Sequence, residues 1–190
     1  MEKVKLGRNV SVYPMPVVLV GAMVEGRPNF MTVAWVSRVN ATPPLLAVSL
    51  NKPRYTARGI RENKTFSVNV PGANMVDKVD YCGLVSGRDT DKSELFEIFY
   101  GDLGTAPMIR DCPLSIECRL YDVHELPTND IFVGEVVEAY VDRSCFVDGR
   151  PEVRMINPLL LTMPDNRYWL VGDYAGDAWS TGKSLKSDKG

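Results

Sequence analysis

Two short segments of this chain gather hydroxyls, a phenol and cations in patterns suited to holding an anion. The first ends the apolar run LLAVSLN and continues as KPRYT, bringing Ser49, Asn51, Arg54, Tyr55 and Thr56 together. The second, YCGLVSGRDTDKSEL from Tyr81 to Leu95, carries Cys82, Ser86, Arg88 and Lys92. Its Gly83 and Gly87 permit unusual backbone angles, which would let successive N–H groups converge into an anion-binding concavity. Asp91 and Glu94, three residues apart, resemble a helix start, with Ser93 an equal candidate for the N-cap. A solvated loop would account for the second segment alone. Taken together, the two offer hydroxyl and charged donors suited to one phosphate group.

Other chemistries find less support. The four cysteines, at 82, 112, 118 and 145, form no CxxC pair, and His124 is the one histidine. A structural zinc site wants tight ligand pairs, so reduced, partly buried thiols are the expectation. A Cys–His nucleophile pair stays open at this level, with His124 expected at a strand end. GDAWSTGKS resembles a phosphate-cradling GxxxxGK[ST] loop, but five residues separate Gly176 from Gly182 instead of four. No GxGxxG stands between a strand and a helix, so neither an NTPase nor a dinucleotide-binding Rossmann domain is supported.

Composition bounds the rest. A chain of 190 residues, 45% apolar and 24% charged, suits one globular domain spanning 1–190. The net charge of −2 gives no global attraction for nucleic acid or an anionic membrane, so an anion site must be local. The apolar runs VVLVGAMV and LLAVSL fall far short of the ~20 residues of a membrane helix. MEKVKLGRNVSVYP shows no secretory h-region, and a cytoplasmic location is the default expectation.

The elements that must position these residues are mostly strands. PVVLVGAMVE from Pro16, FMTVAWVSRV and LLAVSLN read as three, with GRPN as the first hairpin turn and Thr42-Pro43-Pro44 at a sheet margin. Arg54 to Asn63 reads as a short helix, weakened by Gly59. TFSVNV alternates as a strand, and a helix then follows from an Asn74 N-cap through Met75, Val76, Val79 and Cys82. In LSIECRL, Leu114, Ile116, Cys118 and Leu120 share one face, with Ser115, Glu117 and Arg119 on the other. IFVGEVVEAYV is a further strand, FVDGRPEV carries an Asp148-Gly149 turn, and LLLTM with YWLVGDY makes a last hairpin. The polar tail SLKSDKG is expected to fray. Many strands, few helices and frequent turns predict an antiparallel barrel or sandwich with helices at its rim.

NFMTVAW, PPLLAVSLN, Tyr55-Thr56 with IRENKTFSVNVP, and CGLVSGRDTDK together resemble the flavin reductase-like, FMN-binding split-barrel family. The resemblance covers most of the chain and is densest from Pro16 to Lys92. It implies a mainly β fold, an antiparallel Greek-key split β-barrel with a few peripheral helices, usually a homodimer with FMN near the subunit interface. It also implies that Thr32, Val33, Ala34 and Trp35 line the isoalloxazine, with backbone N–H groups meeting its heteroatoms. Ser49, Asn51, Tyr55 and Thr56 would hold the ribityl chain and phosphate, and Cys82, Gly83, Ser86 and Lys92 would close the site. Arg38 and Arg54 are further candidates that a solvated charge would equally explain, and Trp35 could as well be a core residue.

Three functional classes follow from that resemblance. The favoured one is an electron-transfer protein that keeps its FMN and serves redox partner proteins, in a setting such as anaerobic sulfur metabolism. The alternatives are an NAD(P)H-dependent flavin reductase and a non-catalytic flavin-binding module. No residue is assigned as nucleophile or general acid, and Cys82 is the one candidate exception. Tyr168, Trp169, Tyr174 and Trp179 are candidate contacts between two subunits.

Overall fold

The computed structural model describes residues 1–185 of the chain. A two-residue strand, β1 (Met15–Pro16), leads into β2 (Val18–Val24) and β3 (Arg27–Val33). Their hairpin turns on Glu25 and Gly26, which have φ of 50° and 77°, as a type I′ turn requires. The turn therefore lies two residues ahead of the expected GRPN, and Pro28 falls inside β3. It is tolerated there because β3 pairs on one side only, leaving a margin where no ladder donor is needed. β4 (Val36–Asn40) and β5 (Leu45–Asn51) follow, then helix α1 (Tyr55–Asn63), β6 (Thr65–Val70) and helix α2 (Val76–Leu84). Asn74 does not cap α2: it sits within a 3-10 turn, Ala73–Met75, that runs directly into the helix.

Two short strands, β7 (Ile98–Phe99) and β8 (Met108–Ile109), precede the long pair β9 (Leu114–Glu125) and β10 (Asn129–Val141). The chain ends with β11 (Phe146–Val147), β12 (Arg150–Pro151), α3 (Val153–Ile156), β13 (Leu159–Thr162) and β14 (Arg167–Leu170). The β11–β12 turn is made by Asp148 and Gly149, with φ of 49° and 78°. β1, β13 and β14 form a small separate sheet. The fraying expected of the tail falls, from residue 186 on, outside the described residues.

The main antiparallel sheet has the order β3-β2-β6-β9-β10-β5-β4. Its two edge strands, β3 and β4, are consecutive in sequence, joined only by Ala34 and Trp35. Two residues cannot span an open seven-stranded sheet at roughly 4.8 Å between strands, so the sheet must curl until its edges meet. This closure yields the split barrel, and it places Ala34 and Trp35 at the seam.

β2 is buried on both faces, which is why it reads as an unbroken apolar run instead of an alternation. Val18, Val20 and Ala22 enter the barrel interior with Val48, Leu50, Phe66 and Phe132. Val17 and Leu19 face the other way, into a second core with Phe30, Val79, Cys82 and Phe96 that seats α2. Helix α1 packs across β2 because Gly59 has no Cβ; one added there would overlap the Met23 carbonyl. The residue that weakens the helix on propensity thus permits its packing. Glu117, on the face of β9 opposite Cys118, is fully buried and accepts from the N–H groups of Asp102 and Leu103 at 2.8 and 2.9 Å and from Tyr140 Oη at 2.9 Å.

A candidate flavin cleft

The N-terminal turn of α1, the C-terminal turn of α2 and the loop from Val85 to Lys92 enclose a cleft of about 360 Å³. It brings together Thr32, Asn51, Tyr55, Thr56, Cys82, Gly83, Ser86 and Lys92, with Arg54 at its edge. The cation expected from sequence proves to be deeply placed: Lys92 is 3% exposed. Its Nζ donates to the Cys82 and Val85 carbonyls, each at 3.2 Å, at the end of α2 where backbone carbonyls lack helical partners. No carboxylate pairs with Lys92 among the described residues. Burial pushes its ammonium pKa below the usual lysine range, and the nearby Arg54 charge adds to the effect. A buried cation with a third N–H to donate and no counter-charge is a place for an anion.

The opposite wall has the same polarity. α1 begins without a side-chain cap and without an acidic residue in its first turn, so its positive end is available to a ligand. Thr56 lies in that first turn and is 1% exposed. The Tyr55 hydroxyl is committed elsewhere, donating to Glu25 Oε2 at 2.8 Å, while the Arg88 guanidinium lies 6.0 Å from its ring centroid.

A second hollow, of about 570 Å³, is lined by Ala34, Trp35 and Ser49 beneath the segment running from Val10 to Pro16. Thr32 and Ala34 are two residues apart, as are Ser49 and Asn51, and each pair contributes one member to each hollow. Ser49 and Asn51 share one face of β5, so the hollows adjoin along one side of the barrel. Trp35 is half-exposed there, not a core residue. Its carbonyl accepts from Ser49 N–H at 2.9 Å, and the Ser49 hydroxyl accepts from Asn129 Nδ2 at 3.3 Å.

Several placements differ from expectation. The side chain of Val33 packs in the barrel core, and the residue lines neither hollow. The Thr32 hydroxyl donates to the Val79 carbonyl and ties α2 to β3. Neither Gly83 nor Gly87 has positive φ, so the expected glycine nest is absent. Gly83 is part of α2, and Gly87 is needed for space, because a Cβ there would overlap the Asn29 amide. Arg38 lies away from both hollows, donating to the Asn40 and Ala41 carbonyls. Asn29 lines the cleft although sequence reasoning passed over it; an amide among the buried positions of NFMTVAW was the available signal. Burial raises the Cys82 thiol to about 11, and His124 is exposed beside Asp122, so a reactive Cys–His pair does not form there.

Cleft and fold together define a class. The flavin reductase-like domain family matches residues 10–161, and the chain belongs to that family. Flavoredoxin from Methanosarcina acetivorans is 58% identical and superposes with a TM-score of 0.95, covering 97% of this chain and 100% of the other. Flavoredoxin of Desulfovibrio vulgaris (Miyazaki F) is 34% identical with a TM-score of 0.90, over 96% and 100% of the two chains. An uncharacterised protein of Aeropyrum pernix is 34% identical over 132 residues, 68% of this chain. The chain spans about half, 50%, of that relative's length.

Proposed function

We propose that this protein is an FMN-carrying electron-transfer protein that keeps its cofactor while electrons pass between partner proteins. The protein binds FMN, and the observation that carries the placement of its phosphate is Lys92, a buried cation in the cleft with no protein counter-charge. Lys92, the start of α1 and the Thr56 hydroxyl would hold the phosphate, with Arg54 at the rim. Asn51 and Ser49 lie where the ribityl chain would pass. Ala34, Trp35 and the backbone at Val33 would face the ring, with Thr32, Cys82 and Gly83 closing its polar end. FMN supplies one- and two-electron redox chemistry when bound. The chain's own part is to orient the cofactor, offset its negative charge and shield it from water. Cys82 takes no chemical step in this reading, because its thiol stays protonated at neutral pH.

Similarity to two flavoredoxins along nearly the whole chain supports the carrier role. The name of the family favours a second reading, a flavin reductase that oxidises a nicotinamide. Anaerobic titration separates them. A carrier stays oxidised through stoichiometric NADH or NADPH and is reduced at once by a low-potential one-electron donor. Rapid nicotinamide oxidation with turnover of free flavin would establish the reductase instead. Denaturation should release FMN and no FAD.

The working unit of this proposal is a homodimer. Trp169, Tyr174 and Trp179 are 49%, 68% and 95% exposed, aromatic surface that a second copy would cover. Tyr168 is partly buried and donates to Asp80 at 3.0 Å, so it belongs to the subunit's own packing. Sedimentation at micromolar and nanomolar concentration tests the dimer, and a holoprotein monomer at both would dismiss it.

A further inference from the structure

The Thr56 hydroxyl is held by a residue from another element. Asn29, on β3, is 4% exposed and donates from Nδ2 to Thr56 Oγ1 at 2.7 Å. A hydroxyl has one proton and two lone pairs. With a lone pair engaged by the amide, the Thr56 proton must point away from Asn29. Among the described residues no group accepts that proton, and the residue lines the cleft. Thr56 is the second residue of α1, so the residues three and four before it precede the helix and offer its hydroxyl no helical carbonyl. The Asn29 amide sets where the Thr56 oxygen sits.

The amide is also closely packed. Gly87, in the loop after α2, is so close to Asn29 Oδ1 that any side chain there would collide with it. Strand, helix and loop thus meet at one buried hydrogen bond, which is more than packing the hairpin would require.

We propose that Asn29 is a positioning residue for phosphate selectivity: it fixes Thr56 as a donor into the cleft, so that a phosphate-bearing flavin is preferred over its dephosphorylated form. This rests on the FMN reading, and the experiment separates the two. Binding of FMN and of riboflavin to the full-length apoprotein is followed by quenching of flavin fluorescence. Asn29→Leu should raise the FMN dissociation constant about tenfold and that of riboflavin less than about twofold, the scale of one buried hydrogen bond. In a Thr56→Val background, Asn29→Leu should add nothing, because the group it acts through is gone.

Asn29→Asp keeps the shape and serves if the leucine variant does not fold. A carboxylate only accepts, so it would draw the Thr56 proton out of the cleft. FMN affinity must then fall further in the Thr56 background than in the Thr56→Val background, where charge repulsion alone remains. Equal losses for FMN and riboflavin, or an unchanged effect in the Thr56→Val background, overturn the inference and leave the FMN reading standing. A wild-type protein that takes up neither flavin removes both.

Discussion

Lys92 reaches across the cleft floor to the last turn of α2, its Nζ 3.2 Å from the Cys82 carbonyl. The contact places a cation at the negative end of a helix, where it is stabilised. It leaves charge uncompensated on the side that faces the cleft, beside the positive start of α1. Two helix ends of opposite polarity therefore present the same sign of charge to one space.

Lys92→Ala and Thr56→Val should each weaken FMN binding by ~1–3 kcal/mol, the range for a buried or charge-assisted hydrogen bond. Riboflavin lacks the phosphate and should be affected much less. Calorimetric titration of both flavins decides this, and equal sensitivity would move these residues away from the phosphate.

Gly59→Ala should destabilise the fold by about 2 kcal/mol or more, although alanine is favoured over glycine in a helix by roughly 1 kcal/mol. The new methyl would run into the Met23 carbonyl and the Val24 side chain and lift α1 off β2. Since α1 carries Thr56, FMN affinity should drop with stability. Urea unfolding of the apoprotein measures the first effect; a stabilised variant would contradict the packing described.

The strands and most of the cleft's lining were legible because their signals are local. Alternation, turn residues and the hydroxyl-rich KPRYT segment depend on neighbours in sequence. The N-terminal turn of α1 was readable for that reason, as was the Asp148-Gly149 hairpin. The charge of Lys92 is plain in the sequence, whereas its burial depends on the end of α2 lying against it. The roles of Gly59, Gly87 and Asn29 were not legible, since each is defined by an atom from another element. Gly87 was expected to bend the backbone; in the fold it makes room. Glu117 shows the same limit: its partners in the 102–103 turn and at Tyr140 come from two other segments.

Cys82 should resist alkylation in the native protein at pH 8. Burial raises its thiol to about 11, so the reactive thiolate is scarce as well as shielded. Cys82→Ala should therefore leave electron transfer intact and affect FMN binding only through packing. Mass spectrometry after iodoacetamide treatment gives the answer, and rapid labelling of Cys82 in folded protein would reopen a chemical role for it.

FMN affinity should pass through a maximum, falling toward acid pH and falling again at alkaline pH. On the acid side, the phosphate gains a proton with a pKa near about 6 and loses half its charge. On the alkaline side the relevant group is Lys92, whose pKa burial has lowered, so it loses its proton earlier than an exposed lysine would. The apoprotein should respond in the opposite sense. The unfolded chain holds that proton at pH values where folded Lys92 has lost it, so the contribution of Lys92 to stability rises with pH across that window. Bound phosphate restores the ammonium, and binding must take up a proton there. Isothermal titration in buffers of different ionisation enthalpy should detect that uptake. Lys92→Met should abolish both the proton uptake and the alkaline fall in affinity while keeping the acid limb. A variant with the full wild-type profile would show that another group controls the alkaline side.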